Sequence, residues 1–248
     1  MTISFDAGDP AGAAASLREM VEAATDLLLR SAEGVSDQQA RQPSLLPGWS
    51  RGHLLTHVAR NADSLRNLLV WARTGVETPQ YRHPDERAEG IAAGAGRSAA
   101  ELLADLAASA AALDAEAARL PDTAWAAQVR KMNGDGHPAW YILWRRLTEV
   151  EFHHVDLGVG YAAADWPAPF ATYGLAQVAG DFTGPDSPAV LLQCSDAPVV
   201  VQIGPAGEQA VHTVTGPVRS LLAWLAGRSA GAGLTTEPPG PPPTLPAW

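Results

Sequence analysis

The chain has 248 residues, of which 46% are hydrophobic and 18% charged, enough apolar material for one large core or two modest ones. Its formal net charge of −10 and pI near 5.1 argue against nucleic acid or an anionic membrane surface as the main partner. No apolar run reaches transmembrane length, residues 1–9 do not read as a secretory leader, and the single cysteine, Cys194, excludes an intramolecular disulfide, so a soluble cytoplasmic protein is expected.

Four long segments read as helices. Asp9-Pro10 is a cap followed by proline at the first helical position, and Leu17, Val21, Ala24 and Leu28 then recur at helical spacing. The second run opens with Ser50 as cap after Pro47-Gly48-Trp49 and continues to about Thr74-Gly75, with Leu54, Val58, Ala62, Leu65 and Leu69 apolar. The third follows Gly96 through Leu102, Leu106 and Leu113 to Leu120-Pro121. The fourth opens at Pro138 and carries Leu143, Leu147, Val150 and Leu157 before Gly158. Four amphipathic runs of this length can bury their stripes against one another as a bundle. The connections 75–96 and 121–137 are long, which in a compact domain often marks function, and Tyr81–Arg87 reads as a lid or rim.

After Tyr161 the pattern changes. Trp166-Pro-Ala-Pro169 reads as a linker into a short helix near 170–180. Three strand-like runs follow, Ala189–Cys194, Val199–Ile203 and Ala210–Val214, then a last helix from Val218 to Arg228. The expected architecture is α+β: a four-helix bundle over residues 1–165, a small α+β domain over 166–235, and a proline-rich, poorly ordered tail over 236–248.

The chemistry concentrates on two of the helical runs. Arg146, Glu149, His153 and Asp156 fall at i, i+3, i+7 and i+10, one polar stripe bordering the apolar one. Such a stripe is either a solvated face or an inward-pointing set of metal ligands, as bundle metal sites are built. The second run offers His53 and His57, four apart. His53 sits in the first turn, where it can cap or face solvent, and His57 borders the apolar stripe, which favours His57 as a ligand. Two imidazoles and one carboxylate, His57, Glu149 and His153, suit a divalent ion with an open position, zinc, nickel and iron among them. Asp156 can orient the His153 ring and Asn61 the His57 ring from behind, or each can simply face solvent. Trp49, Trp71, Trp140 and Trp144 read as bundle packing. Cys194, in a predicted strand, reads as core.

The run Leu46-Pro-Gly-Trp49-Ser-Arg-Gly-His53-Leu-Leu-Thr-His57-Val-Ala-Arg-Asn61-Ala-Asp63 resembles the opening motif of the mycothiol-dependent maleylpyruvate isomerases, members of the DinB-like metalloenzyme superfamily. Asn67–Glu77, Glu149-Val-Glu-Phe-His153-His-Val-Asp156-Leu-Gly and the stretch from Thr215-Gly-Pro to Arg228-Ser-Ala-Gly-Ala-Gly-Leu extend the likeness over roughly residues 10–235. The resemblance implies a DinB-like, zinc-binding bundle with a C-terminal α+β domain and mycothiol as thiol cosubstrate. Mycothiol suits the composition, in which Lys131 is the sole lysine among 17 basic residues, as GC-rich bacterial codons give. The family's functional arginine maps onto Arg228, which would grip a carboxylate or would be no more than a cation at a helix end.

The activity this implies is isomerisation of maleylpyruvate to fumarylpyruvate: a thiolate adds to the cis double bond, the bond rotates, and the thiolate leaves. The alternative on the same site is an S-transferase that leaves mycothiol on another electrophile. Either way the partners are a small thiol and a small carboxylated electrophile, with no nucleic acid and no membrane. Without a metal, the chain would be a binding module.

Overall fold

The computed structural model describes residues 8–131, 134 and 136–248; the reading of the N-terminal segment as no leader falls largely on residues 1–7, outside the described ones. The chain divides into two compact units, one ending at Tyr161 and the other running from Ala162 to Trp248.

The first unit is built on four long helices: α1 (Pro10–Glu33), α3 (Arg51–Thr74), α5 (Ala99–Ala117) and α6 (Tyr141–Asp156). A four-residue helix, α2 (Asp37–Ala40), and a nine-residue one, α4 (Glu86–Gly94), lie between them. The starts follow the sequence signals. Asp9 accepts from Gly12 N at 2.9 Å ahead of Pro10, and Ser50 and Ser98 each close a reciprocal capping box. The α3 helix stops at Gly75, whose φ of 71° few other residues adopt. Helices α1 and α3 each pack against both α5 and α6. The seam between them holds Leu17, Leu28, Leu54, Leu65, Leu69, Leu102, Leu106, Leu147 and Val150, all buried.

Three expectations are revised here. Segment 75–96 is not a bare connection: it holds α4, which packs on α3 with Ile91 buried, and a Cβ on Gly52 would lie 2.3 Å from Ala95 O, so only glycine allows that approach. Segment 121–137 holds a 3₁₀ turn (Asp122–Ala126) and an antiparallel hairpin of β1 (Gln128–Arg130) with β2 (Gly136–Pro138). Pro138 therefore ends a strand instead of opening the last bundle helix, which begins at Tyr141.

In the second unit, α7 (Ala168–Asp181) and α8 (Val218–Leu225) pack together beside a four-stranded sheet of order β4-β3-β5-β6. Its strands are β3 (Val190–Cys194), β4 (Val200–Ile203), β5 (His212–Gly216) and β6 (Thr235–Glu237), with β3 and β5 parallel and the other pairs antiparallel. The strand β6 was not expected. Thr235–Glu237 pairs with Thr213–Thr215, and Trp248 Nε1 donates to Asp181 at 2.9 Å, so the proline-rich tail is tied to its unit at both ends. Among the described residues no helix is long and apolar enough to cross a membrane.

Candidate metal centre

The relation of α6 to α3 is fixed by two arginines. Arg146 is fully buried and donates from Nη1 to Val58 O at 2.8 Å and to Asn61 Oδ1 at 3.0 Å, both on α3. Burial pushes its guanidinium down to about 10, still protonated near neutral pH. At the other end, Arg51 of α3 donates to Leu157 O (2.8 Å) and Gly158 O (3.1 Å), the C-terminal carbonyls of α6 that favour a cation. With both ends held, the three- and four-residue spacing carries Glu149 and His153 to the side of α6 that faces His57.

There three ligand atoms converge. His57 Nε2 lies 3.0 Å from Glu149 Oε2 and 3.0 Å from His153 Nε2, and the latter two are 3.3 Å apart. His57 is buried, with Trp49 edge-on to its ring at 5.4 Å between centroids. His153 Nδ1 meets Asp156 Oδ2 at 2.9 Å; a proton held there leaves the Nε2 lone pair facing the cluster. Among the described residues this is the one group of three or more such side chains placed to share a metal ion.

The electrostatics agree with that geometry. Burial pushes His57 down, against the pull of Glu149. Burial also opposes charge on Glu149, yet the bonds to His153 and His57 hold its carboxyl well below the usual range. For His153 burial is outweighed by Asp156 and Glu149, which raise it. A carboxylate oxygen and two imidazole nitrogens within about 3 Å can share one cation, a proton or a metal. The donor set, neutral nitrogen and carboxylate oxygen with one side open, fits zinc. As the pH falls, protonation of His153 competes with the metal.

The solvated alternative for the α6 stripe does not hold, since Arg146 and Asp156 are 0% and 2% exposed. His53 is a cap: its Nδ1 contacts Ser50 Oγ at 2.7 Å and it is outside the triad. Asn61 Oδ1 accepts from Arg146, and Asn61 lines the same cavity as His57. Trp140 and Trp144 pack in the core, whereas Trp49 stands against His57 and Trp71 lines a surface cleft.

His57 and Glu149 of the triad open on a cavity of about 230 Å³, lined also by Asn61, Gln80, Tyr81, Arg87, Lys131 and Arg145. Of these, Tyr81 and Arg87 bound the segment that reads as a rim. Lys131 and Arg145 carry no sequence signal, because which cations lack an acid partner depends on packing. Arg228 belongs to the other unit. It lies beyond the end of α8, past Gly227, with its guanidinium 5.9 Å from the Trp248 ring and Nη1 donating to Ala226 O. Cys194 is buried on β3, and burial, with Asp196, pushes its thiol up to about 11, so it is a poor nucleophile near neutral pH.

Two family models match the chain. The mycothiol maleylpyruvate isomerase N-terminal domain covers residues 21–158, and the C-terminal domain of the same enzymes covers residues 165–247. No curated protein sequence matches. Among solved structures, a crystal structure of the mycothiol-dependent maleylpyruvate isomerase is 31% identical with a TM-score of 0.86, over 95% of this chain and 97% of that one. A histidine-to-alanine mutant of that enzyme is 30% identical with the same TM-score and coverage.

Proposed function

The chain belongs to the mycothiol-dependent maleylpyruvate isomerase family, and from that premise we propose that it is a metal-assisted cis–trans isomerase converting maleylpyruvate to fumarylpyruvate with mycothiol as the thiol. The observation that carries this reading is the convergence of His57, Glu149 and His153 beside a cavity lined by cations. A divalent ion held by these three side chains would keep the thiol of the cosubstrate as a thiolate near neutral pH, where a free thiol is largely protonated.

The chain's own residues supply the rest. Asp156 fixes the His153 ring so that Nε2 points at the cluster. Trp49 shields the buried His57 ring. No protein nucleophile is required, since Cys194 is buried and held as a thiol. The thiolate adds to the cis double bond conjugated to a carbonyl, which makes that carbon–carbon bond single and free to rotate. Expulsion of the same thiolate then restores the double bond in trans and regenerates the thiol, so no redox partner is consumed. A second cleft, of about 420 Å³, shares Gln80, Tyr81 and Lys131 with the metal cavity and adds Trp71; the uncharged sugar portion of mycothiol suits such a wall. Arg228, assigned by the family resemblance, would grip a substrate carboxylate.

The test is to incubate the metal-loaded protein with maleylpyruvate, with and without mycothiol, and to follow both product and free thiol. Fumarylpyruvate formed only with mycothiol, with the thiol undiminished, is expected, and Cys194→Ala should retain the activity. Arg228→Ala should lower kcat/KM by roughly 10- to 100-fold, with the metal retained, and Arg228→Lys nearly as much. Stoichiometric loss of thiol would make the protein an S-transferase, and turnover without thiol would sink the mechanism.

A further inference from the structure

The metal cavity carries an uncompensated positive wall. Its charged lining is Arg87 from the first turn of α4, Lys131 just after β1, Arg145 from α6, and the single carboxylate of Glu149. Glu149 is already committed to His57 and His153. Arg145 and Glu149 are four residues apart on one helix, a spacing that invites an ion pair, yet none joins them.

Elsewhere in this unit several arginines have acid partners, and the buried Arg146 and half-buried Arg51 have carbonyl or amide oxygens instead. Arg18 pairs with Asp114, Arg60 and Arg97 with Asp105, Arg73 with Glu116, Arg82 with Glu86 and Arg130 with Glu77. In a chain with 27 acidic residues against 17 basic ones, pairing is easy to supply. Lys131 and Arg145 nonetheless have no ion pair or hydrogen bond among the described residues, and Arg145 Nη1 is buried without a partner. Among the described residues the one polar contact of Arg87 is a long one, Nη2 to His57 Nδ1 at 3.4 Å. If His57 Nε2 holds a metal, Nδ1 carries the ring proton and can accept nothing from Arg87. The charges of Arg145 and Lys131 also reach His137, which burial first, and these two cations next, push down. Three like charges around one cavity repel one another, and an anion in the cavity relieves that cost.

We propose that Arg87, Arg145 and Lys131 form a carboxylate-binding wall of the metal cavity, which holds one carboxylate of a dicarboxylate electrophile beside the metal position. The proposal rests on the isomerase reading above for the identity of the electrophile. The thiol does not explain the wall, because mycothiol is an uncharged glycoside with no carboxylate to neutralise. Maleylpyruvate has two carboxylates, and the wall accounts for one of them. The arginines supply planar forks for a carboxylate; Lys131, exposed at the mouth, supplies a point charge.

The experiment is calorimetric titration of the metal-loaded protein with maleate and with monomethyl maleate, alongside the metal content of each sample. Wild type should bind maleate at least about tenfold more tightly than the monoester. Arg87→Met and Arg145→Met should each weaken maleate by about tenfold or more, with little change for mycothiol or in metal content. Arg145→Lys should recover part of the loss, and Lys131→Met, at an exposed position where folding is not at risk, should weaken maleate several-fold. No maleate binding by wild type, or wild-type affinity in the Arg87→Met/Arg145→Met double variant or in Lys131→Met, would overturn the wall. The two readings fail separately. Selective loss of maleate binding in a protein that never turns over maleylpyruvate keeps the wall and removes the isomerase. Turnover with an unchanged KM in the double variant does the reverse.

Discussion

Helix α6 carries a glutamate and a histidine on each of two faces, and the two sets have opposite fates. On one face Glu149 Oε2 and His153 Nε2 meet His57 Nε2, with no hydroxyl among them. On the other, Glu151 accepts from the Tyr161 hydroxyl at 2.6 Å, His154 meets Ser31 Oγ at 2.7 Å, and the His154 and Tyr161 rings stack at 3.8 Å. A hydroxyl can donate or accept as its neighbour requires, so Glu151 Oε2 and His154 Nε2 each have a local answer without an ion. Burial there pushes Glu151 up to about 7, towards the neutral acid, whereas Glu149 is held ionised. The same residue types on one helix thus become structure or chemistry according to what stands opposite them.

The comparison breaks most visibly at the triad. His57→Ala or His153→Ala should lose metal retention and thiol-dependent turnover to background, with little change in helix content, because the bundle core is packed independently of these side chains. Elemental analysis and circular dichroism read the two effects. Full metal occupancy in both variants would mean that the convergence is only a buried polar cluster, like the other face.

The second face should respond to pH instead of to metal. Because Glu151 is raised to about 7 from an ordinary 4.5, the native state holds its proton longer than the unfolded chain does. Its contribution to stability is present below the ordinary carboxylate value and is lost as the pH rises towards 7. Glu151→Gln cannot ionise, so it should match wild type near pH 4 and exceed it at pH 8, by an upper bound of about 3 kcal/mol. Urea unfolding at the two pH values measures this, with metal retention unchanged. A variant less stable than wild type at pH 8 would show that Glu151 is a well-solvated or paired carboxylate in the native state.

What the sequence made legible follows the same division. The four long helices could be read because their caps, Asp9, Ser50 and the proline at position 10, coincide with leucine periodicity over many turns. Helix α4 and the 128–138 hairpin were not, since nine Ala- and Gly-rich residues and three-residue strands are too short to show a period. Strand β6 was hidden by the prolines around it; three threonine-rich residues become a strand only because β5 offers an edge. The i, i+4 spacing put Glu149 and His153 on one face, and the motif tied them to His57. Spacing alone left the stripe's direction open, because Arg146 reads as a surface residue until Val58 O and Asn61 Oδ1 are seen to hold it inside. The cationic wall was illegible for a related reason: a sequence shows which residues are charged but not which lack a counter-charge.

The smallest effect gives the sharpest contrast. Ser31 lies in the last turns of α1, and its Oγ is the hydroxyl that meets His154 Nε2. Ser31→Ala removes that bond between α1 and α6, a loss of about 1 kcal/mol. Alanine is also the better helix former, which offsets a few tenths of that cost, so a net destabilisation of about 0.5–1 kcal/mol is expected. Metal retention and turnover should not change, because His154 lies on the face turned from the cluster and takes no part in the triad. The result separates two views of α6. If its faces are independent, the structural face can be weakened without touching the chemical one, and the loss appears only in unfolding curves. If Ser31→Ala instead releases metal, as His153→Ala should, then the seating of α6 against α1 sets the position of Glu149 and His153, and the two faces act as one unit.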